Sequence, residues 1–111
     1  MRKSIIEEQM ASKMQNYEGW LVEYLQGDEN AVHYLQAALD EYQTDYHTEA
    51  LMLAFRHVAL AQGGIAKLAE KTLLSRETLY RTLSKKGNPK IETLAKLLDG
   101  LGFHLMIEKV A

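Results

Sequence analysis

Cysteine is absent from this 111-residue chain, which excludes disulfides and thiolate zinc sites. Proline occurs once and glycine seven times, a scarcity that favours helices over a turn-rich β architecture. No apolar run approaches the roughly 18 residues of a membrane span. The opening MRKSIIEEQMASKMQ lacks the apolar centre of a secretory leader and carries Glu7 and Glu8 instead. The expectation is a cytoplasmic protein without a membrane. His33, His47, His57 and His104 form no close ligand pair, and no HExxH is present. GxSxG and GxxxxGK[ST] are also missing, so Gly63-Gly64 reads as a helix break rather than a phosphate loop. Acid pairs such as Glu7-Glu8 and Asp40-Glu41 fall on polar helix faces. The chain is expected to bind no metal or cofactor and not to be an enzyme.

What is present is a polarised charge pattern. The formal net charge is −2. Residues 1–62 carry Arg2, Lys3, Lys13 and Arg56 against ten acids, whereas residues 63–90 carry seven cations and two acids. A basic segment on a mildly acidic protein is the electrostatic footprint of a local nucleic-acid contact, though a solvated lysine-rich helix face produces the same tally. At 47% hydrophobic and 25% charged residues, the composition fits one domain with one core.

The apolar spacing predicts a series of helices. In residues 1–16, a flexible or helical extension, Met10 and Met14 share a face. The domain proper is 17–111. Tyr17 to Gln26 forms a short helix with Trp20, Leu21 and Tyr24 inward, closed by Gly27. Ala31, Tyr34, Leu35, Ala38, Leu39 and Tyr42 stripe the next. Thr48 caps a third helix that buries Leu51, Ala54, Phe55 and Val58 and stops at Gly63-Gly64. Two short helices follow, Ile65 to Lys71 and Arg76 to Ser84. Pro89 precedes a last helix burying Ile91, Leu94, Leu97 and Leu98, and ended by Gly100 and Gly102. The tail changes period. Leu101, Phe103, Leu105 and Ile107 alternate with more polar neighbours, which predicts a strand over 103–109. A lone strand needs a partner. That partner is the same strand of a second copy, another protein, or Ser4-Ile5-Ile6; the second copy is favoured, and a frayed helix extension is the competing reading.

The two short helices match a helix-turn-helix spanning 64–84. Ala69 is small where the second helix approaches. Leu68, Leu74, Leu79 and Leu83 tie the pair together, and Ser75 suits an N-cap. Arg76, Glu77, Tyr80 and Arg81 then point outward, with Thr78 at the margin. These are base-reading chemistries: arginine forks onto guanine, glutamate accepts from cytosine, and tyrosine and threonine meet a thymine methyl or a phosphate. Lys67, Ser75, Ser84, Lys85 and Lys86 are placed to hold phosphates, which fixes register without reading sequence. The competing reading is a surface helix with a Glu77–Arg81 ion pair.

The runs LAEKTLLSRETLYRTLS and GNP followed by ETLAKLLDGLG, with YLQAALDE and ALMLAFRHVALAQGG upstream, resemble the addiction module antidote proteins. These are helix-turn-helix antitoxins related to HigA and the Xre-type, lambda-repressor-like regulators. The resemblance covers about residues 20 to 108. It implies an all-α, lambda-repressor-like bundle with extra N-terminal helices, binding to double-stranded DNA at the operator of its own operon, and a toxin partner of the RelE/HigB-like endoribonuclease type. The family's DNA-reading helix corresponds here to Ser75, Arg76, Glu77, Thr78, Tyr80 and Arg81. The family usually has glycine where this chain has Leu73; a left-handed turn there would cost leucine about 1 kcal/mol.

Tyr17, Trp20, Tyr24, Tyr34, Tyr42 and Tyr46 lie in the acidic half. They read either as packing for the N-terminal helices or as a docking face for a basic partner, with Asp40 and Glu41 contributing charge. The combined expectation is a homodimeric antitoxin and transcriptional autorepressor, whose strand residues Phe103, Leu105 and Ile107 pair across the dimer. The alternatives are a stand-alone Xre-type repressor and an adaptor that does not bind DNA.

Overall fold

The computed structural model describes residues 16–111, and these are helical apart from their connections and tail. The expected Met10–Met14 face and the Ser4-Ile5-Ile6 strand partner lie outside the described residues. Six helices run in order among the described residues. The described part of α1 covers residues 16–24. Then come α2 (Asp28–Asp45), α3 (Thr48–Ala61), α4 (Ile65–Thr72), α5 (Arg76–Thr82) and α6 (Ile91–Leu101).

Leu21 and Leu25 attach α1 to the core, and Asn30 Nδ2 donates to the Tyr24 carbonyl at 3.0 Å, fixing the α1–α2 corner. Trp20 and Tyr24, expected inward, are instead 56% and 40% exposed. The two stripes of α1 have similar spacing, and the leucines win the buried one. Along α2, Ala31 and Leu35 are buried and Tyr34, Ala38, Leu39 and Tyr42 pack at the edge of the core, matching the expected stripe. Helix α3 packs against α2 on one side and α4 on the other. It therefore buries more than one stripe: Met52, His57 and Ala59 join the expected Leu51, Ala54, Phe55 and Val58. His47, not Thr48, holds its N-cap position, and no side chain caps it.

Gly63 and Gly64 both have positive φ, 116° and 93°, and they turn the chain from α3 into α4. Helix α4 packs on both α5 and α6. Gly100 lies inside α6, where a Cβ would stand 2.5 Å from Thr72 Cγ2 of α4, so glycine here permits close approach rather than ending the helix. Ile91, expected in the core, is instead 76% exposed as the first residue of α6.

No strand occurs among the described residues, so the strand expected at 103–109 is corrected. The physical reason lies in how α6 ends. Gly102 is left-handed at φ 92°, and the Phe103 N–H donates to the Leu98 carbonyl at 2.8 Å, a Schellman closure. Phe103 thereby turns back onto the core. Leu105 and Met106 then help line a groove of about 400 Å³ with Val32, Leu35 and Leu39 of α2. Ile107 is fully exposed. The described residues offer this tail no sheet edge, and apolar alternation without an edge does not make a ladder.

Candidate nucleic-acid interface

The site is built on α4, the Leu73–Ser75 turn, α5 and the loop to α6. Leu68, Leu79 and Leu83 are at most 3% exposed and tie the helices to each other and to the core, as their spacing predicts. Thr72 organises the turn: its hydroxyl donates to the Leu68 carbonyl at 2.8 Å and accepts the Leu74 N–H at 3.2 Å. Between them Leu73 adopts φ 61°, ψ 16°, a left-handed conformation, with its side chain 92% exposed. The turn thus keeps the geometry that glycine would take freely, and leucine bears the strain.

Ser75 is the N-cap of α5, accepting the Thr78 N–H at 3.0 Å and donating to Thr78 Oγ1 at 2.9 Å. Among α2 to α6, this is the one helix start closed by a side-chain hydrogen bond. The cap fixes where the seven-residue α5 begins, and so which way its first turn faces.

Arg76, Glu77, Tyr80 and Arg81 are exposed on that helix and Thr78 is half-buried against Ser75, the arrangement their positions suggest. Among the described residues, Lys96 and Glu92 form an ion pair at 3.2 Å, and His47–Asp45 and His57–Glu18 approach at 3.8 Å, pairing as ions when the histidine is protonated. Glu77 and Arg81 do not join them, so the salt-bridged surface helix is not what forms. Lys67, Lys85 and Lys86 are exposed on the flanks. Ser84, expected as a phosphate contact, is half-buried and donates to the Arg81 carbonyl at 2.7 Å, which ends α5 two residues earlier than expected. Gly87 is buried where a Cβ would strike the Thr82 carbonyl. This close approach folds the loop back on α5 and holds Lys85 and Lys86 beside it. Lys71 also projects from α4, a cation that charge counting could have added to the site.

Over residues 14–109 the sequence matches a protein-family profile described as "Probable addiction module antidote protein". The chain belongs to that family. An uncharacterized protein of Haemophilus influenzae (strain ATCC 51907 / DSM 11121 / KW20 / Rd) is 28% identical over 89 residues, covering 80% of this chain and 87% of that protein. No solved structure matches the chain. An antidote implies a toxin partner. No helix among the described residues of this antidote is long and apolar enough to cross a membrane.

The antidote's other half is built differently. Tyr17, Trp20 and Tyr24 line the outside of α1, with Tyr17 tilted 31° against Trp20 at a centroid distance of 6.1 Å and the Trp20–Tyr24 pair stacked at 5.2 Å and 13°. In the same half, the Tyr34 hydroxyl lies 2.8 Å from His57 Nδ1, and Glu18 approaches His57 Nε2 at 3.8 Å. Burial lowers the His57 pKa from its ordinary 6.5; Glu18 opposes that shift and Arg56 adds to it. Burial also raises the Tyr34 pKa, with a smaller contribution from Tyr17. The polar link joins α1, α2 and α3 and suits a structural role.

Proposed function

We propose that this antidote is a sequence-specific DNA-binding antitoxin that represses its own operon and neutralises a RelE/HigB-like toxin by direct binding in the cytoplasm. In this reading α4 and α5 are a helix-turn-helix of the lambda-repressor-like type, related to HigA and Xre regulators. Helix α5 enters the major groove. Arg76, Glu77, Thr78, Tyr80 and Arg81 meet base edges, and Lys67, Lys85 and Lys86 hold phosphates. Ser75 and Ser84 shape the helix ends, and their remaining lone pairs face the backbone of the duplex. The protein acts as a homodimer whose two reading helices address half-sites about 34–36 Å apart or a multiple of that spacing. The chain performs no catalysis in this scheme.

The observation that carries the reading is the outward face of α5. Its guanidiniums and carboxylate are exposed and free of ion pairs among the described residues, on the one helix from α2 to α6 whose start a side chain caps. A solvated helix face has no need of such positioning. The test is a binding titration at two salt concentrations, comparing the duplex upstream of the chain's operon with a scrambled duplex of equal length. Tight, salt-sensitive binding to the upstream duplex alone is expected. Equal weak binding to both removes the repressor function.

A further inference from the structure

We propose that the aromatic stripe Tyr17–Trp20–Tyr24 of α1, with the carboxylates around it, is the docking surface for a basic protein partner, the toxin of the module. The inference rests on the antitoxin reading above and names the surface it uses. Leu21 and Leu25 already attach α1 to the core, so the three aromatics are not needed for that purpose. They are 61%, 56% and 40% exposed. A tryptophan kept in water between two tyrosines retains an apolar surface that a monomer gains nothing by exposing, and contiguous exposed apolar patches mark interaction sites. Tryptophan and tyrosine also dominate the energetics of such sites.

Two further features specify the occupant. Residues 16–62 contain eight acids and a single cation, Arg56, so this half of the molecule attracts positive charge. Glu18 and Glu23 on α1, and Asp28 and Glu29 at the start of α2, are all exposed. The ring faces point the same way chemically, because an arginine or lysine laid over indole or phenol is held by cation–π attraction. On the opposite flank of α1, Glu18, Gly19, Val22 and Leu60 form a groove of about 400 Å³ with one carboxylate at its rim. Stacking also fixes the side chains before the partner arrives, which reduces the entropy lost on docking. A second copy of this chain would bring the same negative charge to the same place, so self-association fits this face less well than a cationic protein does.

The experiment uses the full chain and the purified product of the reading frame adjacent to it in the operon. Affinity is measured by calorimetry for wild type, for Trp20→Ala with Tyr24→Ala, for Glu23→Lys and for Arg76→Ala, at two salt concentrations. The double aromatic variant is expected to bind the adjacent product about tenfold or more weakly, with its DNA titration and helical circular dichroism unchanged. Glu23→Lys is expected to weaken the complex and to flatten its salt dependence, and Arg76→Ala to leave the complex intact. If wild type forms the complex and the aromatic variant and Glu23→Lys match it, the surface is wrong while the antitoxin reading stands. If the aromatic variant loses only self-association, the stripe is a copy–copy interface and the proposal falls. If wild type forms no complex with the adjacent product, the antitoxin reading and the proposal fall together.

Discussion

In α1 to α3 the exposed acids outnumber any exposed cations and exposed aromatics line α1, and a polar contact runs inward, from Tyr34 to His57 and Glu18. In α4, α5 and the loop after them most of the exposed charges are cationic, and the polar contacts run along the backbone, at Thr72, Ser75 and Ser84. One core serves both halves. The first half uses the Asn30–Tyr24 and Tyr34–His57 hydrogen bonds to hold helices together. The second uses its own to define helix ends. A surface that must present a few side chains at set angles benefits most from fixed helix ends. A broad apolar face needs only to be kept flat and open.

Substitutions on the basic half should separate reading from holding. Arg76→Ala is expected to lose about 1–3 kcal/mol of discrimination between operator and scrambled duplex, with the fold unchanged, as measured by competition titration. Retained discrimination would remove Arg76 from the reading face. Lys86→Ala is expected to weaken binding alike on all duplexes and to reduce the slope of log affinity against log salt by about 1. A sequence-dependent loss there would turn the flank into part of the reader.

Stability measurements test the turn and the acidic half. Leu73→Gly places the left-handed position in the residue best suited to it, and an exposed leucine gives up little packing. A gain of about 1 kcal/mol in urea denaturation is expected, and a loss would show that the leucine side chain supports the turn. The smallest effect concerns His57. Its folded pKa lies below the unfolded 6.5, so the unfolded chain binds more protons in that window. The stability it contributes is complete above 6.5 and falls as pH drops through the window toward the folded value. His57→Gln is expected to flatten that slope, and an unchanged slope would assign it to other groups.

Much of this was legible in the sequence. The Leu68, Leu79 and Leu83 spacing, the Ser75 cap and the left-handed demand at Leu73 follow from local rules and appear in the structure. Where readings failed, the deciding force was not local. Trp20 and Tyr24 share helical spacing with Leu21 and Leu25, and only packing chooses between two stripes on one helix. The 103–109 alternation is a true property of the sequence, but a strand requires an edge, and none is present among the described residues. Gly100 looked like a helix stop because its role is set by Thr72, distant along the chain. The outward set of α5 was readable because buried leucines on the same short helix leave few choices. Its freedom from ion pairs was not, since Glu77 and Arg81 have the spacing to form one.

Trp20 is the chain's one tryptophan, and it sits at the surface of α1 rather than in the core. The molecule therefore carries a built-in optical label on its acidic half. Its ultraviolet emission will shift when that face is covered and stay nearly constant when α5 meets a duplex. The two proposed binding events can thereby be tested separately, with no dye attached.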